Sequence, residues 1–336
     1  MNRAIEMSPR PAHHADKGFR NPWPHSRPRG FGAVIKWMLT RSRQSSPSSH
    51  DVLPVPVHDA AAHRGTSDLA VTWIGHSTFL IQCDGLNILT DPIWSKRASP
   101  VKFAGPKRLV PPGIDFADLP AIDMTVLSHD HYDHFDDFTI RRLIRGFPEM
   151  TWCVPLGVAP LVRKRGAVNV IEMDWWDEHE VAGVRIGCTP AQHFSGRYPW
   201  NRNANLWCGW TIAFSNRKVF FAGDTALHPE FVDIAARFGP FDLSILPIGA
   251  YEPRWFMRSV HMTPEDTVAA FEQLIAADTR RQSVMVGSHW GTFRLTDEPV
   301  MQPPELTRST WSGSGLSPHR LWILAHGETR TLSPDQ

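Results

Sequence analysis

The sequence predicts an α/β fold, because short β-type runs and amphipathic helical runs interleave from about Asp68 to the end of the chain. Two further observations support that class. At 336 residues and 42% hydrophobic, the chain can bury a large core, as one big α/β domain or two smaller ones. Histidines and an aspartate recur just after β-type runs, at the rim where sheet proteins commonly assemble their sites.

Taken in order, residues 1–30 are rich in Pro, His and Arg, show neither helical nor strand period, and read as an extended or disordered arm. "FGAVIKWMLTR", Phe31 to Arg41, is a short amphipathic helix that either anchors at a membrane surface or packs on the body or a partner subunit. The Ser/Pro-rich "SRQSSPSSHD" that follows is a linker. The chain therefore divides into residues 1–67, a basic arm with helix and linker, and a folded domain over 68–330. Within that domain "LAVTWIGHSTFLIQCDGLNILTDP" reads as two strands around "CDG", the second ending at Asp91. "DMTVLSHD" is a buried strand, "FTIRRLIRGF" an amphipathic helix, and "TWCVPL" and "VNVIEMDW" are strands. "HEVAGVRIGCTPAQH" and "GWTIAFSNRKVFFAGDT" each give a strand pair, around "AG" and "SNRK", and "DLSILPIGA" is a further buried strand. In "TPEDTVAAFEQLIAA" Thr263 caps a helix with Asp266 three residues on, an acidic variant of the capping box. "SVMVGSHWG" and "HRLWILAHGET" supply late strands.

The net charge of +1 argues against a chain built to grip nucleic acid. Charge is uneven, however: residues 1–45 carry nine Lys/Arg against Glu6 and Asp16, a net +7 that leaves −6 for the remainder. The four cysteines, Cys83, Cys153, Cys188 and Cys208, form no CxxC pair, so they are read as free, buried thiols in a reducing compartment. No stretch reaches the ~20 apolar residues needed to cross a bilayer, which makes a cytoplasmic location the expectation.

The chemistry concentrates in "LSHDHYDHFD", Leu127 to Asp136, with three histidines and three aspartates directly after a buried strand. His129 and His131 are two apart, so an extended backbone sends both side chains to one face. Asp133 and His134 follow where the chain turns. H-x-H-x-D-H therefore offers ligands for two cations, and its nitrogen and carboxylate donors suit zinc, with iron or manganese as alternatives. Four local ligands leave two metals under-coordinated. His193 in "TPAQHFSG", Asp224 in "FFAGDTALH" and His289 in "VGSHWGT" complete the set. His129, His131, His193 and Asp224 are assigned to the first metal, and Asp133, His134, His289 and Asp224 to the second, with the Asp224 carboxylate as bridge. His13, His14, His58, His63, His319 and His326 lack such a context and are read as solvated or locally hydrogen-bonded.

At these motifs the chain resembles the metallo-β-lactamase superfamily, and most closely the N-acylphosphatidylethanolamine-hydrolysing phospholipase D family and its bacterial relatives. The resemblance is carried, in family order over about Asp68 to Pro299, by "WIGHSTFLIQ", "NILTDPIWSKRASP", "LSHDHYDHFD", "AQHFSGR", "FAGDTALH", "LPIGAYEPRWFM", "HMTPEDTVAAF" and "HWGTFRLTDEP". It implies a four-layer αβ/βα sandwich of two mixed sheets flanked by helices, with two metals at one edge. The family's ligand pattern matches the same seven residues.

The expected chemistry is hydrolysis by a hydroxide shared between two zinc ions, whose water falls from a pKa of ~15.7 toward ~7. The family resemblance implies a phosphodiester substrate of N-acylphosphatidylethanolamine type, cleaved on its head-group side. A lactone or carboxyl-ester hydrolase of the same fold and a non-catalytic, membrane-associated metal protein are the rival readings. Asp133, Asp224 and His261 are the candidate catalytic residues, and His76, Tyr132 and Arg254 the candidate substrate contacts. His261 is alternatively a residue that merely precedes the helix cap, Tyr132 a buried aromatic, and Arg254 the partner of Glu252 in a salt bridge. Asp91 either holds a ligand histidine by its second nitrogen or starts a turn before Pro92. The expected partners are a phospholipid or other small ester, an inner membrane surface touched through the basic arm, and a second copy of the chain in a homodimer.

Overall fold

Strands buried on both faces explain why the apolar runs are continuous rather than alternating. The computed structural model describes residues 10–24, 30–40, 68–198, 200–280 and 282–332; the Ser/Pro-rich linker lies outside them. Two mixed seven-stranded sheets form the body. The first contains β1 (Leu69–Gly75), β2 (Thr78–Cys83), β3 (Leu86–Thr90), β4 (Met124–Val126), β5 (Thr151–Pro155), β6 (Val170–Met173) and the last strand, β14 (Thr329–Leu332), in the order β14-β1-β2-β3-β4-β5-β6. The second holds β7 (Glu178–Val181), β8 (Val184–Thr189), β9 (Gly209–Ala213), β10 (Lys218–Phe221), β11 (Leu243–Pro247), β12 (Val284–Ser288) and β13 (Leu321–Trp322), in the order β13-β12-β11-β10-β9-β8-β7. Each half begins antiparallel and turns parallel, at β3–β4 in one and β10–β11 in the other.

Side-chain alternation assigns the two faces. Val71, Trp73, Phe79 and Ile81 join Ile186, Trp210, Phe221 and Ile245 in the core between the sheets. Ile74, Leu80 and Leu89 point the other way, where Ile140 and Leu143 of α2 (Asp137–Gly146) and Val162 of α3 (Ala159–Arg163) cover them. On the second sheet, α4 (Phe231–Phe238), α6 (Pro264–Ile275) and α7 (Gln302–Gly313) pack Phe231, Phe271 and Trp311 into the same continuous hydrophobic cluster, Phe231 edge-on to Phe220 and Phe271 beside Trp311. The capping box of α6 is present, Thr263 accepting from the Asp266 backbone and Asp266 from that of Thr263. Edge strand β7 exposes Glu178 and Glu180, charges that discourage pairing with a further chain.

Three readings from sequence change. "LAVTWIGHSTFLIQCDGLNILT" makes three strands, because His76 adopts φ 58° and reverses the chain between β1 and β2. A Thr292 hydroxyl accepting from the His76 amide at 2.6 Å and the Trp73 indole donating to its carbonyl at 2.9 Å hold that turn. The sheet register continues to Leu332, paired with Leu69, two residues beyond the boundary read from sequence. The arm is not extended over its described part. Residues 13–20 form a small hairpin, His14 bridging Phe19, packed on the body. Helix α1 (Phe31–Thr40) also sits on the body, with the Trp37 indole donating to Asp297 at 2.7 Å and stacked on Phe256, which precedes Met257 at the end of the short α5 (Arg254–Met257). The four cysteines are buried thiols outside any disulfide, as expected.

Candidate metal centre

Strand β4 delivers the chain to the loop Leu127–Asp136, and buried polar bonds set that loop's shape. Asp130 accepts from the Gly196 amide and the Asn205 side chain, both at 2.7 Å, and Arg197 donates to the carbonyls of Asp130 and Phe135. The other donors arrive from strand ends: His193 after β8, Asp224 after β10, and His289 directly after β12. All seven sequence-assigned ligands meet at this rim, in groups whose ligating atoms lie within 4.8 Å of one another.

Asp224 Oδ2 is the hub. His134 Nε2 and His289 Nε2 each stand 3.1 Å from it, His193 Nε2 3.8 Å and His129 Nε2 4.0 Å. His131 presents Nδ1, 2.8 Å from His129 Nε2 and 3.3 Å from His193 Nε2. Asp133 Oδ2 lies 3.4 Å from His134 Nε2 and 3.6 Å from His289 Nε2. Imidazole nitrogens crowded against one another make poor hydrogen-bond partners and good ligands for a shared cation.

Outer contacts orient each ring. His134 Nδ1 meets Asp91 Oδ2 at 2.7 Å, and the His193 Nδ1–H donates to the Val260 carbonyl at 2.9 Å. His129 Nδ1 meets the Ser128 hydroxyl at 2.9 Å, which itself donates to Asp91 at 2.5 Å. With Nδ1 engaged, the Nε2 lone pairs of His129, His134 and His193 are directed into the centre, the usual outer arrangement of metal-binding histidines. His134 Nε2, His289 Nε2 and Asp224 Oδ1 are buried with no aligned hydrogen-bond partner. Burial of such atoms is costly unless something else satisfies them. Two divalent cations fit this donor set, and zinc suits its nitrogen and oxygen chemistry.

The electrostatics agree. Burial alone would raise the Asp224 carboxyl, but His134 and His289 outweigh it and hold the group well below the usual carboxylate range. Burial lowers His131 to about 4 and His193 to about 3, so both are neutral donors at physiological pH. Burial likewise depresses His289, yet Asp224 and Asp133 raise it to about 9, a field that a cation would replace.

The remaining candidates fall around this core. His76, 1% exposed, meets Asp133 Oδ2 at 3.0 Å and its ring lies tilted against that of His289, 4.1 Å between centroids, so it braces two of the candidate ligands. His261 is buried with Nδ1 unpartnered, its ring 5.0 Å from that of His193 and 5.2 Å from that of His289. The Tyr132 hydroxyl donates to the Arg197 carbonyl at 2.9 Å, which engages it structurally. Arg254 pairs with Asp266 at 3.1 Å instead of Glu252 and donates to the His261 carbonyl, bracing that loop. It also lines a cavity of 1290 Å³ with Arg20, Trp23, Gln192, Arg258 and Ser259. Asp91 holds His134, as the outer-ligand reading expects. Sequence reasoning missed Ser128 and Asp130, whose only signal is their place inside the motif. It also misread His13 and His326, which are buried; His326 accepts or donates with Thr292 at 2.9 Å.

Two mixed sheets with a histidine–aspartate centre at their shared rim define a metallo-hydrolase of the β-lactamase fold. Residues 86–290 match the Beta-lactamase superfamily domain, and the chain belongs to that superfamily. It is 38% identical over 290 residues to the N-acyl-phosphatidylethanolamine-hydrolyzing phospholipase D 1 of Caenorhabditis elegans, covering 82% of this chain and 80% of that one. An uncharacterized protein of Mycobacterium tuberculosis is 42% identical over 275 residues, 81% of this chain and 71% of that one. The solved structure of Igni18, a metallo hydrolase of Ignicoccus hospitalis, shares the fold with a TM-score of 0.59 at 22% identity, over 79% of this chain and 99% of that one.

Proposed function

We propose that this chain is a binuclear zinc phosphodiesterase of phospholipase D type, acting on N-acylphosphatidylethanolamine-like phospholipids. The observation that carries the reading is the position of Asp224 Oδ2, 3.1 Å from His134 and His289 and within 4.0 Å of His129 and His193. One carboxylate serving both donor groups is what a two-metal centre needs. The relative in C. elegans and the arginines of the neighbouring cavity, Arg20, Arg254 and Arg258, support an anionic phosphate ester as substrate.

Bound cations would supply Lewis acidity toward a phosphoryl oxygen and acidify a water for attack. The chain's own residues do the rest. Asp133, braced by His76, keeps one donor group in place, and Asp91 and Val260 fix His134 and His193 in their ligating tautomers. His261, whose buried Nδ1 has no hydrogen-bond partner and which burial holds well below the ordinary histidine value, serves in this reading as a neutral relay that takes the proton released by the attacking water and passes it to the departing alcohol oxygen. Access to the lipid follows from α1, whose Leu39 is 81% exposed beside the cationic Lys36: peripheral attachment at a membrane surface supplements the packing of Trp37.

The test is metal analysis with a substrate panel on wild type and Asp224→Ala. Wild type is expected to carry two zinc ions at this centre and to prefer N-acylphosphatidylethanolamine over lactones and a β-lactam by more than about a hundredfold, ~2.7 kcal/mol of barrier. Asp224→Ala is expected to lose metal and about a thousandfold or more of the rate. Lactone preference would move the chain to carboxyl-ester chemistry, and full activity in Asp224→Ala would end the two-metal account.

A further inference from the structure

A second convergence of metal-ligating groups lies outside the rim, where the arm meets the body. His13 Nε2 stands 2.6 Å from Asp174 Oδ1, and His14 Nε2 2.7 Å from Asp174 Oδ2. Adjacent residues of an extended chain point to opposite faces. Here the hairpin, closed by Arg20 N–H donating to the His13 carbonyl and Ala15 N–H to that of Gly18, turns both rings toward one carboxylate, 4.6 Å apart and edge to face. His13 is buried and stacked on Trp175, while His14 and Asp174 keep about a fifth of their side chains open, enough for an ion to enter and solvent to complete its shell. Among the described residues no Lys or Arg pairs with Asp174. Among those residues its carboxylate otherwise accepts only from the Trp175 amide, at 2.8 Å.

We propose that His13, His14 and Asp174 form a third metal site, taking a divalent transition cation of the zinc class and latching the arm to the end of β6. Two imidazoles and one carboxylate are a standard zinc donor set with a fourth position left for water. Tetrahedral bonds near 2.0 Å place donors about 3.3 Å apart, so on binding an ion the two histidine–carboxylate contacts would widen by about 0.6–0.7 Å. The latch has a consequence for the main centre. Asn21 donates to the carbonyl of His193 at 2.8 Å, and Trp23 stacks on His228, so the segment following the latch forms one wall of the 1290 Å³ cavity. A cation that binds only the docked arm shifts the arm toward docking by mass action.

The experiment uses the full-length chain, stripped of metal and titrated with zinc, comparing wild type with His14→Ala and Asp174→Asn. Metal analysis is expected to find one equivalent fewer in each variant than in wild type. Trypsin cleavage after Lys17 and Arg20 is the second readout: zinc at ten times its Kd for the third equivalent should slow it about tenfold in wild type and leave both variants unprotected. Equal zinc content in all three proteins, or wild-type cleavage that the third equivalent does not slow, overturns the site. The comparison of two with three equivalents is made on wild type, so it remains decisive even if a variant folds poorly. Neither readout depends on turnover, so the outcome is independent of which ester the rim hydrolyses.

Discussion

His134 Nδ1 lies 2.7 Å from Asp91 Oδ2, and neither side chain is exposed to solvent. That contact joins a strand end 43 residues upstream to one of the two histidines nearest the Asp224 carboxylate. Asp91 also accepts from the Ser128 amide and hydroxyl, so one carboxylate orients His134 directly and His129 through Ser128. Asp91→Ala is expected to leave all seven ligands in the chain yet weaken zinc binding about 10- to 100-fold, as loss of an outer partner does elsewhere. Zinc competition with a chromophoric chelator measures it, and unchanged affinity would reduce Asp91 to the turn residue that precedes Pro92.

Gly223 precedes the bridging aspartate at φ +60°, and a Cβ there would stand 2.6 Å from Ser128 Cβ and 2.9 Å from the Cys208 carbonyl. Gly85 shares the left-handed conformation, at φ +78°, but has open space around it. Gly85→Ala should therefore cost only the conformational penalty, about 1–2 kcal/mol. Gly223→Ala adds a clash that displaces Asp224 or Ser128. Chemical denaturation is expected to show a larger loss at 223 than at 85, and only Gly223→Ala should lose zinc.

The rim was legible because its ligands sit in a motif whose spacing follows from strand geometry. His129 and His131 share a face at spacing two, and β8, β10 and β12 each end where a donor is needed. What escaped the sequence was set by long-range contacts. The reversal at His76 is held by Thr292 and Trp73, and its local sign is no more than the flanking Gly75 and Ser77 inside an otherwise strand-like run. His13, buried through Trp175 and Asp174, looks in sequence like any histidine of a polar arm. The alternation of faces was hidden too, since strands covered on both sides carry apolar residues at every position.

Helix α1 divides its surface between the body and solvent. Trp37 is committed to Asp297 and Phe256, whereas Leu39 is exposed and Lys36 lies over the Trp255 ring at 5.0 Å. Among the described residues no helix is long and apolar enough to cross a membrane, so attachment through this region would be interfacial. Flotation with vesicles containing anionic lipid should recover the full chain and lose the chain lacking residues 1–45. Undiminished flotation of the shortened chain would move membrane contact to another surface.

His228 provides a pH test free of the metal centre. It is buried between Trp23 and Phe231, accepts from the Glu230 amide through Nδ1 at 3.3 Å, and leaves Nε2 without a partner. Burial lowers its pKa to about 3. In the unfolded chain it titrates near ~6.5, so below that pH the unfolded state binds a proton that the folded state refuses. Stability from this site is complete above ~6.5 and falls by about 1.4 kcal/mol per pH unit as the solution is acidified toward the folded value. His228→Phe keeps the stacking and removes the proton. Metal loss in acid acts on both proteins and cancels in their difference. Relative to wild type, the variant should therefore gain about 2 kcal/mol between pH 7 and pH 5, read from denaturation curves at each pH. A difference independent of pH would mean that His228 protonates as readily in the folded chain as in the unfolded one.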